Sequence, residues 1–452
     1  MQNPKTNANH ERPRGRPRGG DLVAASLCEV LNLVRLGQAD TRQEIERTSA
    51  FGRAIVADRL ATLGELGLID EAGTGVATGG RAPRLVQFCK ERARIVVITL
   101  NQSALGVGIA DLSGRLLTEH HEPGDLAEPR ACIDRISALV RWIVSRQAKM
   151  TDLWGISISV PGPVIANPAE RFIRTTPDFL HDWGNSGLVE TLLREFQAPV
   201  WISSSVEAMT MGELHGGAGQ GETSMLFVKT GKRIGAGLVA VGRPYHGASG
   251  AVGLIGQLPV TADGQTGSLD RMAGTDMIEA QGRDAATTGE SSALAELLSR
   301  NLPITANEVC QAAQMGDPAS TAIISRSGHL IGGVIATLAS MLNPSLIVLA
   351  GSVAQTNDIL LAAVRETVYG VSHPLVTRDL RIVRSQMGAS AALLGAASIA
   401  VEALFAPSVL RDWILSGSPV HHPEMVESLA SANRSEPKVP SVAPPPPAAI
   451  RT

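Results

Sequence analysis

From Ile95 onward the chain sets out one order of elements twice, and this repetition limits the folds open to it more than any other feature. Ile95 to Leu100, Ala104 to Asp111 and Arg115 to His120 read as three consecutive strands, with Leu112-Ser113-Gly114 as the turn after Asp111. A helix over 129 to 149, a buried strand from Trp154 to Val160 and a Pro161-Gly162-Pro163 turn come next, followed by a helix at 186 to 196, a strand at 199 to 203 and a helix at 205 to 215. The second half returns to the theme, with strands at 224 to 229 and 236 to 241, helices across 268 to 342, a strand from Leu346 to Leu349 and closing helices to about Leu404. Alternation of this kind specifies an α/β fold, and its repetition predicts two similar lobes around a cleft over residues 93 to 405.

A smaller unit over 21 to 89 precedes that body. Leu27, Val30, Leu31 and Val34 recur at helical spacing between Leu22 and Leu36. Thr41-Arg42-Gln43-Glu44 has the form of a capping box and opens a short second helix. A third, from Gly52 to about Glu65, turns Val56, Leu60 and Leu63 inward. A hairpin follows, with Leu68-Ile69 and Leu85 to Phe88 as its strands around a loop at 73 to 80. Three helices and a two-stranded wing predict a winged helix-turn-helix, whose third helix enters a DNA major groove. Gly52, Arg53, Ala54, Ala57 and Asp58 fall on its outward face, and Gly80 and Arg81 at the wing tip. Arg53 is read as a DNA contact, Arg59 equally as a contact or a solvated residue, and Asp58 as a cytosine reader or a bystander. Residues 1 to 20 read as a disordered arm in which Arg14, Gly15, Arg16, Pro17 and Arg18 resemble an AT-hook, a minor-groove binding segment.

Net charge is −3, so DNA affinity must reside in a local patch such as this arm, where Lys5, Arg12, Arg14, Arg16 and Arg18 face only Glu11. Cys28, Cys89, Cys132 and Cys310 lie far apart, which argues against a zinc site or a disulfide framework and suits a reducing cytoplasm. The sequence has no charged-then-apolar leader and no apolar run of about eighteen residues, so neither export nor a membrane span is expected. Aromatic residues are only 3%, which disfavours a base-stacking single-strand binder. Residues 416 to 452, ending in Pro444 to Pro447, read as a disordered tail.

Four ordered matches identify a family resemblance over roughly 22 to 405. They are Gly79-Gly80-Arg81-Ala82-Pro83, Gly155 to Pro163, Gly247 to Gly253, and Asn343-Pro344 with the strand to Gly351. Together they resemble the ROK family of repressors and sugar kinases, specifically its winged-helix regulators. The resemblance implies a two-lobed, actin-like (ribonuclease H-like) sugar-kinase fold, with a hexose near Pro161, Gly162 and Pro163 and ATP in the C-terminal lobe. The departures point away from phosphoryl transfer. Where the family's kinases carry Glu-Asn-Asp, whose Asp is the general base, this chain has Ser203-Ser204-Ser205, and a lone serine cannot take a proton near pH 7. The family's sugar-binding Glu and His become Leu254 and Gln257, and the three cysteines of its zinc loop become Thr261, Asp263 and Ser268. The phosphate loop reads Gly231-Lys232-Arg233, and the first phosphate motif Thr99 to Ser103. No metal and no cofactor are expected. Candidate ligand contacts are Pro161, Gly162, Pro163, Ser204, Ser205 and Gln257, with His246 and Asp178 in cleft loops.

The expected function is a DNA-binding transcriptional regulator, a repressor, acting as a homodimer and sensing a sugar or derivative through a degenerate kinase body. The alternatives are an active ATP-dependent sugar kinase with a DNA-binding head, and an architectural protein of A·T-rich DNA.

Overall fold

The computed structural model describes residues 19–71, 73, 84–101, 104–124, 128–147, 152–162, 164 and 186–434. Helices α1 (Gly19–Arg35), α2 (Arg42–Ser49) and α3 (Arg53–Glu65) and the antiparallel pair β1 (Ile69–Asp70) and β2 (Gln87–Phe88) form a head. Its core is the apolar stripe the spacing predicts: Leu27, Leu31, Ile45, Val56, Leu60 and Leu63 are all buried. Thr41 caps α2, its Oγ1 accepting from the Glu44 amide at 3.3 Å. The expected return bond lands one residue earlier, the Glu44 carboxylate accepting from the Asp40 amide at 3.2 Å.

The first lobe comprises β3 (Ala93–Asn101), β4 (Ala104–Ala110), β5 (Leu116–Pro123), α4 (Pro129–Ser145), β6 (Asp152–Val160), α5 (Leu188–Phe196) and β7 (Val200–Ser204). Helix α6 (Ser205–Gly216) then leads to the second lobe, which begins with β8 (Ser224–Lys229), β9 (Gly235–Ala240), β10 (Arg243–Pro244) and a hairpin of β11 (Pro259–Ala262) and β12 (Gln265–Ser268). It continues through α7 (Leu269–Ala273), α8 (Thr275–Thr288), α9 (Ser292–Ser299), α10 (Ala306–Gln314) and α11 (Pro318–Leu342). It closes with β13 (Leu346–Ala350), α12 (Ser352–Thr356), α13 (Asp358–Val371), α14 (Pro374–Thr377) and β14 (Arg381–Arg384). Helix α15 (Ser390–Leu404) returns to the first lobe and is followed by α16 (Pro407–Trp413) and α17 (Pro423–Arg434).

The repetition read in the sequence is a repetition of topology. One sheet is ordered β5-β4-β3-β6-β7 and the other β10-β9-β8-β13-β14. In each, three antiparallel strands come first and two parallel strands extend the sheet. Strand β14 and the β11–β12 hairpin were not anticipated. The tail expectation is corrected too: residues after Ser416 include α17, because Met425, Leu429 and Ala432 recur at i, i+4 and i+7 and pack inward, Met425 being fully buried. Helix α11 is long and apolar enough to cross a membrane by length and composition. Here Ile324, Ile331, Ile335 and Ala339 serve the core of the second lobe.

Two contacts tie these bodies together. Helices α6 and α15 cross where the lobes meet, and a Cβ on Gly212 would lie 2.0 Å from the Ala391 carbonyl oxygen, one on Gly395 1.6 Å from that of Ala208. The head docks on the first lobe through an aromatic chain. Phe88 meets Phe405 edge-on at 5.5 Å, Phe405 meets Trp413 at 5.9 Å, and Trp413 meets Trp154 of β6 at 5.3 Å. Arg35 stacks over Phe405 and Arg92 over Trp154. The buried residues of head and first lobe therefore form one continuous apolar core.

Candidate functional site

The ends of β6 and β7 build the floor of the cleft. Val160 and Ser204 are register partners, so Pro161-Gly162 and Ser204-Ser205 emerge side by side. Gly162 has φ 106°, a left-handed bend that carries the chain away from the strand end. Ser204 caps α6, its Oγ accepting from the Glu207 amide at 3.1 Å. Ser205, the first helical residue, is buried and its Oγ accepts from Lys229 Nζ at 3.1 Å. Lys229 ends β8, so this bond joins an element of the second lobe to the start of α6. Burial pushes the Lys229 ammonium below the ordinary lysine range. His246, from the loop after β10, approaches the same helix, its Nδ1 lying 3.6 Å from Glu207 Oε1.

Gln257 takes another partner. Its Nε2 donates to Asp270 Oδ2 at 3.0 Å, and the buried Asp270 also accepts from the Ile234 amide at 2.7 Å and from Arg233 at 3.3 Å. In the Gly231-Lys232-Arg233 loop the Lys232 Nζ pairs with Asp276 at 3.1 Å, and the Gly231 carbonyl accepts from the Thr275 amide at 3.2 Å. Both cations of the loop are thus neutralised from α7 and α8. The segment over Thr261, Asp263 and Ser268 is a tight hairpin, with Thr261 and Thr266 hydroxyls 2.8 Å apart and Asp263 paired to Arg326 at 3.0 Å. Pro163 and Asp178 lie outside the described residues.

On the head, Gly52, Arg53, Ala54 and Asp58 are exposed along the outer face of α3, with Ala57 half-buried beside them. Arg59 is different: its Nε donates to Ser26 Oγ at 2.6 Å and its guanidinium pairs with Asp58, so it braces α3 against α1. Arg42 clamps the start of α2 to Glu71 at the base of the wing through bonds of 2.7 and 2.8 Å. Arg14, Gly15, Arg16, Pro17, Arg18, Gly80 and Arg81 lie outside the described residues. Missing from the sequence reading was Lys229, because only the fold brings it to Ser205.

Duplicate five-stranded sheets flanking a cleft define a body of the actin-like, sugar-kinase type, here carrying a three-helix head. A profile described as the ROK family matches residues 100–403, and the chain belongs to that family. It is 26% identical over 358 residues to the DNA-binding transcriptional dual regulator NagC of Escherichia coli, covering 77% of this chain and 85% of that one. It is 27% identical over 270 residues to a glucokinase of Halalkalibacterium halodurans, covering 57% and 79%. Among solved structures, a ROK family transcriptional regulator described as a homologue of the E. coli MLC protein superposes with a TM-score of 0.71 at 20% identity, covering 91% of this chain and all of that one.

Proposed function

We propose that the chain is a DNA-binding transcriptional repressor whose kinase-like body senses a small ligand and does not phosphorylate. Residue 205 carries the reading: a serine hydroxyl, engaged by a lysine ammonium, is found at the position to which the family resemblance assigns the kinases' carboxylate base. The Gly231 loop and Gln257 support it, because Lys232 and Arg233 put long side chains, held by Asp276 and Asp270, into a loop that would have to approach phosphate closely, and Gln257, bonded to Asp270, stands in for the family's sugar-binding His. A regulator among the solved structures supports it as well, its match covering 91% of this chain, more than the two-lobed body alone. The head is the reader, with α3 presenting Gly52, Arg53, Ala54, Ala57 and Asp58 to a major groove, Gly80 and Arg81 reaching the flanking minor groove, and Arg14 to Arg18 extending the contact. Two copies on one operator place two heads at half-sites about one helical turn apart. Such a protein works in the cytoplasm, where the DNA is.

Selection of bound fragments from genomic DNA, followed by gel-shift titration, tests this. A few specific sites are expected. Arg53→Ala lowers affinity and reduces the salt slope by about one if it contacts phosphate, while Arg59→Ala acts on stability. Uniform binding to A·T-rich fragments would make the protein architectural, and sugar-dependent ATP turnover above roughly 1 s⁻¹ would make it a kinase.

A further inference from the structure

Lys229 is a half-buried cation for which the described structure provides no counter-charge. Its Nζ donates to Ser205 Oγ at 3.1 Å, and no described carboxylate forms an ion pair with it. Its neighbours in the chain are treated otherwise, Lys232 being matched by Asp276 and Arg233 by Asp270. Taking an ammonium out of water carries a penalty that a hydroxyl repays only in part. A charge left in this condition, at the floor of a cleft between two lobes, is suited to a partner that arrives from outside.

The surroundings favour an anion. Ser159 and Ser203 are register partners at the ends of β6 and β7; each is 1% exposed, and neither hydroxyl has a hydrogen-bond partner. Ser205 opens a twelve-residue helix, whose N-terminal turn adds partial positive charge. Glu207 is the acidic group of that turn, but it lies about 200° around the helix from Ser205, and His246 engages it at 3.6 Å.

We propose that the ligand of this cleft carries an oxyanion, a phosphate ester or a carboxylate, bound between the lobes by Lys229 and Ser205. The inference rests on the reading of the cleft as a sensor site and names the chemical class it takes. Because Lys229 belongs to β8 and Ser205 begins α6, an anion held by both also draws the lobes together.

Thermal unfolding of the full chain tests this with glucose, glucose 6-phosphate, glucuronate and inorganic phosphate as probes, for the wild type and Lys229→Met. Glucose 6-phosphate or glucuronate is expected to raise Tm where glucose does not, and whichever acts identifies the oxyanion. Lys229→Met is expected to raise the Tm of the unliganded protein, since it removes a half-buried charge without a counter-charge at similar volume, and to weaken the charged probe at least tenfold. The proposal falls if glucose matches the charged probes, if no anion shifts Tm, or if Lys229→Met keeps the full anion response. It also falls if that variant is less stable than the wild type. DNA binding does not enter this measurement, so its failure leaves the repressor reading intact, and loss of that reading would instead come from the gel shift or from turnover.

Discussion

At Gly395 a single absent methyl group decides whether the two lobes can meet. A Cβ there would lie 1.6 Å from the Ala208 carbonyl oxygen and 2.8 Å from the Gly212 amide, both backbone atoms of α6 that no rotamer change can move. Gly395→Ala must therefore pry α15 from α6, a cost of about 1–3 kcal/mol or more by the measure of overpacked cores. Gly333 makes the contrast. It also sits inside a helix, α11, but an added Cβ meets nothing within 4 Å. Gly333→Ala should stabilise the chain by up to about 1 kcal/mol through helix propensity and a less flexible unfolded state. Urea denaturation of the two variants distinguishes them, and equal effects would mean that the close crossing of α6 and α15 is not tight in solution.

Between elements, the bond of β5 to α4 shows how a strand edge is pinned. Arg135 grips Glu122 through two bonds of 2.6 Å, and this holds the Glu122 carboxyl below the usual carboxylate range, with His120 adding to the effect. A folded-state pKa below the unfolded value stabilises above that unfolded value, about 4.3, and the contribution is lost as pH falls through the folded pKa. Arg135 is half exposed, so screening limits the pair to about 0.5–1 kcal/mol. Glu122→Gln should be less stable than the wild type by that amount at pH 7 and equal to it near pH 3, where a persisting gap in denaturation midpoints would refute the assignment. The long apolar strands and amphipathic helices were legible because their periodicity is local. So was the place of Ser205 at the turn from β7 into α6, because strand and helix patterns bracket it. Strand β14 was not, since only Ile382 and Val383 separate Arg381 from Arg384, and pairing with β13 rather than pattern makes it a strand. The β11–β12 hairpin could have been found: Asp263-Gly264, with φ of 53° and 75°, is the residue pair a two-residue hairpin turn favours. Lys229 could not, because its meaning depends on Ser205, which lies across the lobes.

For the whole molecule, α15 is the member that links cleft to head. Its first half crosses α6, which begins at Ser205, and its end runs into Phe405, on which Phe88, Trp413 and Arg35 converge. Glu402 lies on the same helix, 3.6 Å from His215 of α6 and close enough to Arg35 of α1 for its charge to oppose the effect of burial on that guanidinium. A change in lobe angle at α6 therefore reaches the head through a packed helix and an aromatic cluster rather than through a free linker, which gives a ligand a physical means of biasing head placement. The continuous core also predicts how the protein opens. Amides of Leu60 and Leu63 in the head should exchange with the same free energy as those of Val97 and Ile98 in the first sheet, because both belong to one cooperative unit. Trp413 is fully buried, touches Phe405 and Trp154, and donates from Nε1 to the Leu404 carbonyl at 3.1 Å. Trp413→Ala should lower protection in head and first lobe together by about 3–5 kcal/mol, while Ile347 and Val348, in the core of the second lobe and its sheet, change less. Native-state hydrogen exchange reads all three regions in one experiment. Independent exchange of the head in the wild type would mean that it rides on the body as a separate domain, and would remove the rigid path by which a ligand in the cleft could govern the DNA.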